Sequence, residues 1–281
     1  MKNSDALVII YGLASATSWG AGDFIGGLTT RRVSVYRVIL VSQIVGMTLL
    51  LVLAVLSAEP LPAFDNLLLG GMAGISASLG LAALYRGLAQ GRMGIVAPVA
   101  AVVAAALPVL VALYTQGFPS SSQLAGFGLA LLAVWLLSIA AQGGTFTRRD
   151  LRLPVLAGIG FALFFVLIDR VDDAALFWPL VAARLTSACI FGLVTIARRH
   201  PEALAAKQLG IIAMAGVCDA AGTAFFALAT HVGRLDTSTI VSSLYPAATV
   251  ALAWIVLKER FKRRQWAGIA MALAALALIA L

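Results

Sequence analysis

Charge is scarce in this sequence. Asp, Glu, Lys and Arg make up 11% of its 281 residues, against about 25% in soluble proteins. That shortage excludes an ordinary soluble globular chain. Histidine is rarer still. His200 and His231 each stand alone at the end of an apolar run, so no metal site is expected. The two cysteines, Cys189 and Cys218, lie inside apolar runs. There they read as small hydrophobes rather than as a disulfide or a metal pair. Glycine-rich phosphate loops and catalytic triad spacings are missing too, so no cofactor and no enzymatic activity are expected. The nearest approach to a catalytic cluster is Asp169, Asp172 and Asp173 beside Arg170, which reads as an acidic loop.

The net charge of +8 does not point to nucleic acid. The basic residues sit in short gaps between apolar runs, as membrane-flanking anchors do. What the chain has in quantity is apolar surface: 62% of its residues are hydrophobic. A helical crossing takes roughly 20 such residues. Ten runs qualify, at about 6–27, 33–57, 66–89, 94–116, 122–142, 153–170, 174–198, 206–230, 235–257 and 264–281. The first follows MKNSD without a convincing cleavage site and counts as a helix rather than a signal peptide. Only helices or closed barrels satisfy the backbone within lipid. Runs of this length without period-2 alternation argue against a barrel. The fold class is therefore all-α integral membrane, multi-pass in a cell membrane of the bacterial inner-membrane kind, with lipid as a partner.

The sequence also repeats. Residues 71–139 aligned without gaps on 213–281 share 18 of 69 positions. The informative matches are Met72/Met214, Gly74/Gly216, Gly80/Gly222, Gly91/Gly233, Arg92/Arg234, Gln123/Gln265 and Gly126/Gly268. This predicts two five-helix halves, 1–142 and 153–281, joined by a connecting loop at 143–152. Five is odd, so the second half enters the membrane from the opposite side. Ten transmembrane helices in two inverted repeats follow, the architecture of many secondary transporters.

Several motifs carry a family resemblance. They are Trp19-Gly20 in the first span, Tyr245-Pro246 in the ninth, and Lys258-Glu259-Arg260 followed by Gln265 and Gly268. With the span count and the repeat, the chain resembles the EamA-type drug/metabolite transporters. The resemblance implies export or exchange of small metabolites, often amino acids or amphipathic compounds, driven by ion or substrate gradients. One departure stands out: the Glu expected at the end of the fourth span is Gly117, whereas Glu259 keeps its place in the second half. A lipid flippase and a non-transporting assembly partner are the alternative readings.

Ionisable groups inside spans are functional candidates by default. Arg184 and Asp219 lie near the middles of the antiparallel seventh and eighth spans, so they reach similar depth and are expected to pair. Asp23 and Arg86 lie near ends of the first and third spans on one side and are expected to pair as well. Gln43 sits mid-span in the second helix, at a level like that of Arg184. Such pairs fix helix register. A second reading makes Asp219 a proton or cation site, with Arg184 as its release partner or as the anchor of a substrate carboxylate.

Proline has no N–H, so the ninth helix is expected to bend or open at Tyr245-Pro246, beside Ser242 and Ser243. Pro98 and Pro108 offer the same hinge in the fourth. Trp19 and Tyr85 are candidates to stack on a substrate. Trp178, Trp266, Tyr36 and Tyr114 read as interfacial anchors. Gly126 and Ala130, and their counterparts Gly268 and Ala272, form small-x3-small stripes. These either pack the halves together or make a homodimer.

Orientation follows from the gaps. Fourteen basic residues fall on one side: Arg31, Arg32, Arg92, Arg148, Arg149, Arg152, Arg198, Arg199, Lys207, Lys258, Arg260, Lys262, Arg263 and Arg264. Lys2, Arg170 and Arg234 fall on the other. The positive-inside rule puts the richer side in the cytoplasm and both termini outside, although the family habit is both termini inside.

Overall fold

The computed structural model describes residues 3–89, 93–139, 151–172, 176–198, 204–257 and 263–279. Gly91, Arg92, Asp173, Lys258, Glu259, Arg260 and most of the connecting loop lie outside them. Eleven α-helices are seen among the described residues: α1 Asn3–Thr29, α2 Val35–Leu56, α3 Phe64–Ala89, α4 Met93–Thr115, α5 Ser121–Ile139, α6 Arg152–Asp169, α7 Phe177–Ala197, α8 Ala206–Val232, α9 Leu235–Ser242, α10 Tyr245–Leu257 and α11 Arg263–Ile279. Each of the ten apolar runs is helical, with ends within a few residues of expectation. By length and composition, five of these helices are apolar enough to cross a membrane: α3 up to Gly87, together with α2, α6, α7 and α8.

The packing is that of helices in lipid. Much of the interior is alanine: Ala54, Ala73, Ala100, Ala104, Ala105, Ala157, Ala220 and Ala229 are 1% exposed or less. Large apolar side chains such as Leu56, Leu193 and Ile196 point outward. Lipid tails are as apolar as leucine, so helices gain more from close backbone approach than from hiding large side chains. On α3, Gly70 and Gly74 lie one turn apart. A Cβ on either would collide with the backbone of Pro179 or Ala183 on α7. Gly216 on α8 meets the backbone of Ser42 on α2 in the same way.

The neighbour pattern follows from these contacts. α1 packs along α8, and α3 along α6; α3 also packs on α7, and α2 on α8. α4 packs on α6, while α9 and α10 pack on α1. α2 packs on α7, and α5 runs along α11, with Gly126, Ala130 and Gly268 buried.

The proline positions behave differently from one another. α4 continues unbroken through Pro98 and Pro108. The ninth run divides into α9 and α10 at Ser243–Leu244, immediately before Tyr245-Pro246. The last bonds of α9 shorten in register there: the Ser243 N–H donates to Thr239 O, but the Leu244 N–H donates to Val241 O. At the end of α4, Gly117 adopts φ +78, a left-handed turn that glycine allows without strain. That requirement gives the sequence's Glu-to-Gly departure a backbone reason.

Two ties join segments before and after the connecting loop on the side of the termini. Glu59, in the loop after α2, accepts from the N–H groups of Leu176 (2.8 Å) and Phe177 (2.8 and 3.1 Å). It thus caps α7, whose own N-cap Leu176 supplies no side-chain bond. Trp178, read above as an interfacial anchor, donates its indole N–H to Glu59 O at 3.0 Å. Arg234 bonds the carbonyls of Gln116 and Gly117, each at 2.8 Å, and the buried Asp236 at 2.7 Å. It thereby satisfies the carbonyl end of α4. Replacing a capping side chain by alanine typically costs about 1 kcal/mol. Glu59→Ala is therefore expected to lower thermal stability by about that much, and Glu59→Asp to retain part of it. Unfolding midpoints in one detergent check this.

Candidate functional site

One cavity of about 80 Å³ lies among α1, α2, α3, α6, α7, α8 and α10, so helices before and after the connecting loop build it. By volume it has room for several waters or a small molecule, since one water needs about 10–15 Å³ of such space. Its charged lining residues are Asp23, Arg184 and Asp219, with Gln43, Thr223 and Ser187 as polar neighbours. Trp19, Phe161, Phe164, Phe165 and Tyr245 supply an aromatic wall.

The expected Arg184–Asp219 pair is present. Antiparallel α7 and α8 bring mid-span residues to one depth, and Arg184 is the more enclosed of the two, 8% exposed at its side chain against 27%. One terminal nitrogen of Arg184 donates to Asp219 Oδ2 and, at 2.9 Å, to Gln43 Oε1. The other donates to Thr223 Oγ1 at 2.6 Å and Asp219 O at 3.2 Å. Gln43 therefore does more than match the level of Arg184: it is a direct partner, because α2 packs on α7.

The expected Asp23–Arg86 pair does not form. Arg86 is exposed and bonds the Tyr36 hydroxyl, its guanidinium 5.4 Å from the Tyr36 ring centre. Arg198 sits 4.9 Å over the same ring, so Tyr36 is a cation–π partner rather than a lone anchor. The cause is rotation. The cavity face of α3 carries Gly74, Ala77 and Leu81. Residue 86 is five positions past Leu81, about 140° round the helix. Asp23 faces the cavity instead, and Gly22 before it packs against Asp219, whose N would lie 3.3 Å from a Cβ there.

The aromatic candidates divide. Trp19 lines the cavity, lies 5.7 and 5.8 Å from the Phe165 and Phe226 rings, and directs its indole N–H to Thr223 Oγ1 at 3.4 Å. Tyr245 also lines it. Tyr85 is buried with its hydroxyl against Gly26 and is not among the lining residues. Ser242 lies outside the lining as well, in α9, every residue of which is buried. The hydroxyls of Ser238, Thr239, Ser242, Ser243 and of Ser15 on α1 are enclosed without a hydrogen-bond partner among the described residues. Among the described residues no group of three metal-ligating side chains is found, and both cysteines are free.

Sequence reasoning missed Thr223, Ser187 and the three phenylalanines. Thr223 stands one turn after Asp219, and Phe161, Phe164 and Phe165 follow an i, i+3, i+4 pattern. Both signals were available. Ser187 ties α7 to α3 by bonds to Ser78 Oγ at 2.7 Å and Gly74 O at 3.1 Å.

Comparison with known proteins bears on the fold and the family. A solved structure titled "Crystal structure of protein" superposes with a TM-score of 0.76 at 15% identity, covering 96% of this chain and 95% of that one. At that identity the likeness is one of fold. No curated protein sequence matches the chain. Residues 152–281, α6 through α11, match the model of the EamA-like transporter family, a family of small-molecule transporters rather than enzymes. With the apolar helices, the match indicates a multi-pass membrane protein. Over those residues the chain is consistent with an EamA-type transporter of the drug/metabolite transporter superfamily.

Proposed function

We propose that the chain is a secondary active transporter that exports or exchanges small metabolites by alternating access, coupled to protons or another ion. The observation that carries this reading is the cavity between the halves, lined by Asp23, Arg184 and Asp219. Charged groups inside a helical membrane protein are expensive and mark substrate or ion pathways.

The helix neighbours support two inverted five-helix repeats. Exchanging each apolar run for its counterpart five runs along, with α9 and α10 together as the ninth and α11 as the tenth, turns the α1–α8 contact into α6–α3, and α3–α7 into α8–α2. It turns α4–α6 into the packing of α9 and α10 on α1, and maps α2–α7 and α5–α11 onto themselves. A two-fold relation between halves has this property. The repeat residues agree: Gly80 packs on Phe161 as Gly222 packs on Trp19, with both pairs 142 apart.

In this reading the halves rock about the cavity. The ties at Glu59 and Arg234 hold the side of the termini together. The break at Ser243–Leu244 lets α9 move apart from α10. Opening that side would hydrate the unpartnered α9 hydroxyls, each of which carries a burial penalty of about 1–3 kcal/mol while enclosed. Closed and open states are thereby brought nearer in energy.

Flux in proteoliposomes tests the proposal. Asp219→Asn is expected to remove the dependence of transport on a proton gradient while leaving exchange of unlabelled for labelled substrate. Gradient-driven uptake unchanged by the substitution would take Asp219 out of the coupling role.

A further inference from the structure

Resting on the reading of the cavity as the transport site, we propose that it binds a small organic cation: an ammonium group on an apolar or aromatic body, with Asp23 as its counter-ion.

The charge inventory of the cavity leads here. Among the described residues, two carboxylates and one guanidinium line it, and no lysine or histidine does. Arg184 is already spent. Its two terminal nitrogens serve the Asp219 carboxylate, the Asp219 carbonyl, Gln43 and Thr223, and its Nε lies against Gly46 on α2, 3.7 Å from where a Cβ would stand. A substrate carboxylate would have to break this set to be received. Asp23 is the opposite case. It lines the same space, yet it has neither an ion pair nor a hydrogen bond to any described residue.

A carboxylate at a membrane interior without a counter-charge is unfavourable, and a cation entering the cavity relieves that cost. The walls suit the rest of such a molecule. Trp19, Phe161, Phe164, Phe165 and Tyr245 present ring surface, and ring faces attract alkylated and aryl-bearing ammonium ions. Trp19 is held in place by its contacts with Phe165 and Phe226 and by its N–H to Thr223, so this wall is built before the ligand arrives. An anion would sit beside two carboxylates with the Arg184 guanidinium occupied. A zwitterion would find a partner for its ammonium but none for its carboxylate.

Three probes of one shape distinguish the classes: phenethylamine, 3-phenylpropanoate and phenylalanine. Binding is read by thermal shift and titration of the purified full chain in detergent, and transport by counterflow in proteoliposomes. Phenethylamine is expected to bind at least tenfold more tightly than either carboxylate-bearing probe. Asp23→Asn is expected to weaken it at least tenfold, and Asp23→Glu by only a few-fold. The proposal is overturned if 3-phenylpropanoate or phenylalanine binds as well as the amine, if the amine does not bind, or if Asp23→Asn leaves its affinity unchanged. Should Asp23→Asn fail to fold, the three-probe comparison on the parent chain decides.

The two readings fail separately. Counterflow of phenylalanine without binding of the amine sinks the cation proposal and leaves transport standing. Asp23-dependent amine binding with no counterflow of any probe sinks transport and leaves the cation site.

Discussion

Arg184→Leu is expected to be among the most damaging single substitutions in the chain. It leaves Asp219 without its counter-charge and Gln43 and Thr223 without their shared donor. Removing one member of a buried ion pair typically costs about 3–5 kcal/mol. Asp219 retains some exposure, which places the expectation toward the lower end. The companion Asp219→Leu leaves the more enclosed Arg184 without its carboxylate and should cost a comparable amount, eased by the bonds Arg184 keeps to the carbonyl of residue 219, Thr223 and Gln43. The double variant is the sharper measurement. With both charges gone, stability should recover much of what the single arginine change removed, while transport stays lost. Unfolding titrations of parent, singles and double close a double-mutant cycle. A cycle with no coupling would show that the pair does not hold α7 and α8 in register.

Gly74→Leu is the second large expectation, and its cause is steric. A Cβ at Gly74 runs into the carbonyl and Cα of Ala183, so α3 and α7 must separate. Overpacking a well-filled interior costs about 1–3 kcal/mol, occasionally more, and here the obstacle is backbone, which cannot turn aside. Separation would also break the Ser187 bonds to Ser78 and Gly74 and shift Arg184, the next residue after Ala183. Both folding yield and transport should fall. Gly128→Leu is the matched control, since nothing lies within 4 Å of a Cβ there. Equal losses at the two positions would mean that the effect comes from glycine replacement in general and not from the α3–α7 contact.

Much of this protein is legible in its amino-acid sequence. The ten helical stretches are readable because lipid forces every crossing to satisfy its own backbone, so length and apolarity alone mark it. The Arg184–Asp219 pair is readable because depth along a helix follows from residue count. The same counting fails for Asp23 and Arg86. It gives depth but not rotation, and about 140° of helix separates Arg86 from the cavity face of α3. Tyr85 and Ser242 miss the cavity for the same reason: each lies at a plausible level but on a face turned into neighbouring helices. Glu59 is unreadable because its partners are 117 to 119 positions away.

By itself, then, the sequence determined the helical membrane class, the places of the ten apolar runs, the family resemblance and one ion pair, all of which depend on composition, period and depth. The tertiary structure alone decided which side of each helix looks inward. It gathered Asp23, Gln43, Arg184, Asp219 and Thr223 at one cavity, sent Arg86 to Tyr36, and split the ninth run at Ser243–Leu244. The reason is that helix rotation is set by which small residues let two backbones meet, as Gly74 does with Ala183 and Gly216 with Ser42. Those meetings belong to pairs of helices and are written in neither helix alone.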